Sequence, residues 1–229
     1  MKIPDRVVRW VFKPLVFAAG LGPFGWLVWA ALTGNLSANP LSDLTLETGV
    51  WTLRFICITL AITPLRKLTG WNAAIRFRRM TGLFAFFYGT LHFLIYVIAD
   101  RFAGLDFSDG MFTWSTARNL VASVGDDVYK RPFITVGFTA WMTMVPLALT
   151  STAGMIRRLG GRRWNLLHRL IYLTAMLGVL HYWWLVKADV RRPLTYGVVV
   201  AVLLGARILV ARRRRVSPAP VAARDAPAL

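Results

Sequence analysis

The sequence predicts an all-α integral membrane protein, a bundle of six transmembrane helices with both termini in the cytoplasm. Three observations carry this expectation. The chain is 56% hydrophobic, above the ~45–50% usual for soluble domains, and its mean hydropathy is +0.53. The apolar residues fall into six continuous runs, each near the ~20 residues that a bilayer crossing needs. The basic residues, which give a net charge of +18, crowd into alternate connections between those runs. Continuous runs argue for helices, and against a β-barrel, whose strands alternate.

The runs are 14–34, 49–65, 80–99, 133–152, 165–186 and 194–211, so the membrane domain is 14–211. The first is too long for a signal peptide, and no small-residue cleavage site follows it. Segment 1–13 carries Lys2, Arg6, Arg9 and Lys13, whereas 35–48 has no Lys or Arg. Loop 66–79 holds Arg66, Lys67, Arg76, Arg78 and Arg79, and loop 153–163 holds Arg157, Arg158, Arg162 and Arg163. Loop 100–132 offsets four basic residues with Asp100, Asp106, Asp109, Asp126 and Asp127. The positive-inside rule therefore puts both termini, 66–79 and 153–163 in the cytoplasm. The end of the chain, 212–229, is basic from Arg212 to Arg215 and then rich in Ala and Pro, a composition of disorder.

Other classes are excluded by what the chain lacks. The basic residues do not gather on one polar domain, so nucleic acid is not the expected partner. A single cysteine, Cys57, rules out an internal disulfide or a cysteine-based zinc or iron–sulfur site. No GxGxxG or P-loop motif occurs, and no soluble stretch is long enough for a nicotinamide-binding domain. Any electrons are expected from quinol or from a separate reductase.

The only histidines, His92, His168 and His181, all fall inside predicted spans. Ionisable side chains at membrane depth point to function, and imidazole between helices is a ligand for haem iron. His168 and His181 are thirteen residues apart, about 20 Å along one helix, so they cannot share one iron. His181 lies near the outer face, six residues before Lys187, and His92 lies eight residues before Asp100. Their depths pair His92 with His181 around an outer haem. Thirteen residues is not a whole number of turns, so an ideal helix turns the two histidines about 140° apart. His168 is left with several roles: ligand to a second haem with Met80, alternative partner of His92, or contact to a flavin or quinone. Arg76, Arg78, Arg79 and Arg169 can pair with propionates or a phosphate, or simply set topology. Tyr88, Tyr96, Tyr172, Tyr182, Trp183 and Trp184 can pack on a macrocycle or form core and interface belt. Gly82, Gly89, Gly137 and Gly178 allow close approach of a ring or a helix. Pro64 and Pro146 are expected to end or kink helices.

The stretches ITPLR at 62–66, RRMTGLFAFFYGTLHFLIY at 78–96, KRPFITVGFTAWMTMVPLALTS at 130–151 and GRRWNLLHRLIYLTAMLGVLHYWWLVK at 161–187 resemble the MsrQ/YedZ family. These are haem-binding membrane subunits of protein-methionine-sulfoxide reductase systems. The resemblance covers about 55 to 190. It implies a ferric-reductase-like six-helix domain with b-type haem, one or two, ligated by His92, His168 and His181. It also implies FMN. The implied role is to pass electrons from the quinone pool, or a cytosolic flavin reductase, to a periplasmic molybdopterin-containing reductase that repairs oxidised methionine. The implied location is the bacterial inner membrane.

Two other classes compete: a self-sufficient transmembrane ferric or quinone reductase, and a transporter using histidines as a proton relay. On the first reading, loop 100–132 with its aspartates and the 187–193 turn are expected to dock a periplasmic partner by salt-sensitive contacts.

Overall fold

The computed structural model describes residues 4–102, 113–186 and 189–216, which form helices and turns without a strand. A short helical segment from Asp5 to Phe12, wound as a π-turn over Val8–Phe12, leads into α1 (Lys13–Leu32). Next come α2 (Pro40–Thr69), a 3-10 segment (Asn72–Phe77), α3 (Arg78–Tyr96), α4 (Trp114–Lys130) and α5 (Pro132–Leu149). The described chain ends with α6 (Ala153–Leu167), α7 (Leu170–Leu185) and α8 (Arg191–Val216).

Local chemistry sets the ends. Pro40 and Pro132 sit at the first positions of α2 and α5, where a missing N–H costs nothing. The Asn39 side chain accepts from the Ser42 N–H at 3.2 Å and the Thr152 hydroxyl from the Met155 N–H at 3.2 Å, capping α2 and α6. Gly70 ends α2 at φ +69°, and Gly160 breaks α6 at φ +71°. Both are left-handed conformations that glycine adopts without a Cβ penalty.

Five stretches are long and apolar enough to cross a membrane: Asp5–Leu32, Pro40–Thr69, Asn72–Ala99, Pro132–Leu149 and Arg191–Leu209. The sixth apolar helix, α7, has 16 residues, about 24 Å, which is short of a ~30 Å hydrocarbon core. The expected fifth run is cut because the chain turns at His168 and Arg169. Conversely, α2 is far longer than the expected 49–65. It takes in most of the polar stretch before it, through Asp43 and Glu47. Pro64 and Pro146 lie inside α2 and α5 and do not end them.

The core is shared by five helices: Phe55, Ile56 and Leu60 of α2, Phe84, Ala85 and Tyr88 of α3, Met144 and Leu147 of α5, Ile171 and Ala175 of α7, and Val200 of α8. Phe55, Phe84 and Tyr88 stack at ring separations of 5.2 and 5.4 Å. α1 is peripheral and is held by one buried hydroxyl. Tyr88 Oη donates to the Gly20 carbonyl at 2.8 Å and accepts from the Phe24 N–H at 3.0 Å. It thus stands in the ladder between residues i and i+4, a side-chain insertion that helices tolerate when both backbone groups stay paired.

Pro64 makes a second gap. Without an N–H it cannot bond the Leu60 carbonyl, which is instead taken by Arg207 of α8, from Nη2 at 2.7 Å and Nε at 3.1 Å. The same guanidinium donates to Tyr172 Oη at 2.8 Å and Thr63 Oγ1 at 3.2 Å. A cation inside the sixth apolar run is therefore a structural tie between α2, α7 and α8.

Candidate functional site

His92 on α3 and His181 on α7 come together edge to face, their ring centroids 6.0 Å apart and their planes at 81°. Each is fixed from behind. His92 Nδ1 bonds the Thr45 carbonyl of α2 at 2.8 Å, and His181 Nδ1 bonds the Phe133 carbonyl of α5 at 2.7 Å. A carbonyl only accepts, so each Nδ1 carries the proton. A neutral ring then keeps its lone pair on Nε2, the form in which a metal-binding histidine is oriented by an outer partner.

Two glycines make the space. A Cβ on Gly137 would stand 2.6 Å from His181 Nδ1, and one on Gly49 would stand 3.1 Å from His92 Nδ1. Gly137 was readable as a point of close approach, and what approaches it is the imidazole itself. Gly89 and Gly178 instead face Met144 and Leu53, so they serve helix packing.

These features fit an iron–bis-imidazole centre. Rings whose centroids stand 6.0 Å apart are near enough to share one metal, given nitrogen–metal bonds of roughly 2.0–2.1 Å. Among the described residues no group of three or more His, Cys, Asp and Glu side chains gathers as a metal cluster. His92 and His181 would supply two nitrogens to a metal whose other ligands come from a macrocycle.

His168 stands apart, at the junction of α6 and α7. Its Nδ1 bonds the Trp164 carbonyl at 3.0 Å, and its ring stacks on the Trp164 indole at 3.8 Å. Its Nε2 lies 3.5 Å from Ser151 Oγ. It borders a cavity of about 220 Å³ whose other walls include Arg78, Arg79, Phe86, Met144 and Ser151. Met80, the candidate partner of His168, packs against both apolar core clusters and does not line this cavity, whereas Met144 does. Of the arginines singled out, Arg79 lines the cavity and Arg169 is exposed at the start of α7. The break at His168 resolves the 140° mismatch, because the two histidines of this stretch do not share one helix.

An aromatic column runs between the two places. Phe86 at the cavity stacks on Trp141 at 6.5 Å, and Trp141 stacks on Phe93, next to His92, at 4.7 Å. Trp141 Nε1 donates to Thr90 Oγ1 at 3.1 Å, which fixes the indole. Tyr88 and Tyr172 serve the hydrogen bonds already described, and Trp183 and Trp184 face outward.

The acidic outer loop divides. Asp106 and Asp109 lie outside the described residues, as does the side chain of Asp100. Asp127 is buried, accepting from Tyr96 Oη at 2.5 Å and pairing with Arg131 at 3.3 Å. It holds α4 to α3 and is not an exposed docking charge. Asp126 pairs with Lys130 at 2.6 Å on the surface.

The sequence model of the family described as "Ferric reductase like transmembrane component" matches residues 48–179, which hold His92 and His168, and His181 lies two residues beyond the match. Three proteins named protein-methionine-sulfoxide reductase heme-binding subunit MsrQ are close relatives. That of Herminiimonas arsenicoxydans is 49% identical over 207 residues, 90% of this chain and 88% of its own length. That of Ralstonia nicotianae is 51% identical over 208 residues, again 90% and 88%. That of Xanthomonas euvesicatoria pv. vesicatoria is 46% identical over 224 residues, 93% and 95%. No solved structure matches the chain. With more than half the chain inside the family match and near-full-length relatives at about one identity in two, the chain belongs to the MsrQ family within the ferric-reductase-like transmembrane proteins.

Proposed function

We propose that this chain is the haem-binding membrane subunit of a protein-methionine-sulfoxide reductase system. It carries electrons across the bacterial inner membrane to a periplasmic, molybdopterin-containing reductase. The single observation that carries this reading is the His92–His181 pair, two imidazoles edge to face with both Nδ1 atoms committed to backbone carbonyls. A proton relay would need those nitrogens to exchange protons along a chain, and here each Nδ1 ends on an amide oxygen. Haem b, when bound, supplies the one-electron chemistry. His92 and His181 would hold it through Nε2, which the Nδ1 hydrogen bonds to Thr45 and Phe133 keep unprotonated in the neutral rings, and the surrounding helices would exclude water.

The cavity at His168 is the proposed entry for electrons from the cytoplasmic side, delivered by quinol or by a cytosolic flavin reductase, with FMN as a further cofactor of this chain. Its mixture of apolar wall, Arg78, Arg79, Ser151 and His168 suits a flat, partly polar carrier, and it also suits a second haem. Six spans with both termini cytoplasmic place His168 and His181 at opposite ends of α7. The short α7 then completes its crossing with the chain on either side of it. The exposed Asp126, with Arg191 and Arg192, lies at the proposed periplasmic face, where the reductase would dock, and Lys187 lies outside the described residues.

The deciding experiment is an absorption spectrum of the detergent-purified protein with haem counted per chain. The proposal expects a reducible b-type spectrum that His92→Ala and His181→Ala each largely abolish. Retention of full haem by both single variants overturns the pairing. A colourless wild-type protein, reconstituted with haem without effect, overturns the reading altogether. Purified protein that reduces ferric chelates without a partner would favour the self-sufficient reductase.

A further inference from the structure

The segment before α1 folds back onto the bundle. Val8 is 1% exposed and packs with Ile62, Ala74 and Phe77, with Phe12 and Val16 beside it. This anchoring leaves an open cleft of about 610 Å³ between the N-terminal turn and the 3-10 segment, lined by Asp5, Arg6, Arg9, Trp10, Lys13 and Arg76. Asp5 is committed, its carboxylate bonding Arg76 at 2.7 Å across the cleft mouth. Among the described residues, no acid pairs with Arg6, Arg9 or Lys13. Three cations thus converge on one cleft whose lining acid, Asp5, is committed to Arg76. Topology alone asks only that basic residues lie on this side. It does not ask that they be held by a buried valine around a common space.

We propose that this cleft binds the phosphodiester headgroup of an anionic phospholipid. Lys13 is the first residue of α1, and the apolar run begins directly after it, so the cleft lies at headgroup depth wherever α1 crosses the bilayer. Trp10 is 70% exposed at the cleft, and an indole at that level favours the membrane–water interface. Arginine and lysine side chains give charge-assisted hydrogen bonds to phosphate oxygens. Basic pockets beside spans on this face of a membrane recognise anionic headgroups in this way. The volume exceeds that of a free phosphate and leaves room for the glycerol backbone.

Trp10 supplies the reporter. The full chain is reconstituted into phosphatidylcholine vesicles that hold a minor fraction of acyl-brominated phosphatidylglycerol or, separately, of acyl-brominated phosphatidylcholine. The Trp10 component of quenching is taken as the difference between wild type and Trp10→Phe. Quenching of the remaining tryptophans by either lipid checks that the spans are in the membrane, so failure of the membrane reading is seen separately. The proposal expects Trp10 to be quenched several-fold more by the brominated phosphatidylglycerol. That preference should be lost in the Arg6→Gln, Arg9→Gln, Lys13→Gln variant and kept in an Arg157→Gln, Arg158→Gln, Arg162→Gln variant of equal charge. Equal quenching by the two lipids overturns it, as does equal loss in both triple variants, which would mean general surface charge. Abolition of the preference by millimolar inorganic phosphate would assign the cleft to soluble phosphate esters and overturn the lipid.

Discussion

Replacing Gly137 by alanine tests the architecture of the histidine pair more sharply than removing a ligand does. The new Cβ would lie 2.6 Å from His181 Nδ1 and 2.7 Å from Cε1. Ordinary contact begins at 3.4 Å, so the ring must retreat by roughly 0.8 Å. The 2.7 Å bond from Nδ1 to the Phe133 carbonyl cannot survive such a shift unchanged, and leaving the Nδ1–H of His181 without its acceptor costs about 1–3 kcal/mol. Loss of an outer partner to a metal-binding histidine lowers metal affinity by roughly 10- to 100-fold. Alanine in mid-helix is itself favoured over glycine by about 1 kcal/mol, so the helix is not the source of any loss. The expected result is intact, well-folded protein with substoichiometric haem and an altered low-spin ferric spectrum. Gly49→Ala, whose Cβ would meet His92 at 3.1 Å, should give a milder version, and Gly25→Ala, with nothing within 4 Å, no change. Full haem and an unaltered spectrum in Gly137→Ala would refute the reasoning.

Three further outcomes are expected. Arg207→Met should lower thermal stability by about 1–3 kcal/mol by orphaning the Leu60 carbonyl, and adding Pro64→Ala, which restores the missing N–H, should recover much of it. A double-mutant cycle on melting curves measures the coupling, and strict additivity counts against the link. Tyr88→Phe should destabilise by about 1–2 kcal/mol and speed proteolysis near Gly20 and Phe24, since α1 loses its only buried hydroxyl tie among the described residues. His168→Ala should keep the haem held by His92 and His181 but slow reduction by a cytoplasmic-side donor in stopped-flow measurements. Loss of all haem in that variant would pair His92 with His168 instead.

The histidines were legible in the sequence because nothing else titratable near neutral pH lies in the apolar runs, and residue spacing sufficed to match His92 with His181. Their orientation was not legible. Thr45 and Phe133 act through backbone carbonyls, which every residue carries, so side-chain identity marks neither. Gly49 stood at the edge of a predicted span and gave no signal without its neighbour. The length of α2 was missed because Asp43, Thr45 and Glu47 read as a polar connection, although Asn39 and Pro40 are a cap and first-turn pair. Arg207 was absorbed into the sixth apolar run. Its cue was present in Pro64, which must orphan the Leu60 carbonyl, but which cation would reach it depends on how α8 packs. The difficulty with thirteen residues between His168 and His181 did foreshadow the break at His168.

The source of each orienting carbonyl carries a further consequence. His168 is held by Trp164, four residues earlier in its own stretch, so its pose is local. His92 and His181 are held across helix contacts, from α2 to α3 and from α5 to α7. The pair therefore exists only when four helices are assembled. A ligand that binds the assembled arrangement and not the loosened one stabilises it by linkage, so haem occupancy and bundle stability should rise and fall together. Remote substitutions that loosen α2 against α3 should release haem from the pair before they disturb the ring of His168 on Trp164. The two histidine stations thus answer to different structural controls, one to the packing of the whole bundle and one to a single turn.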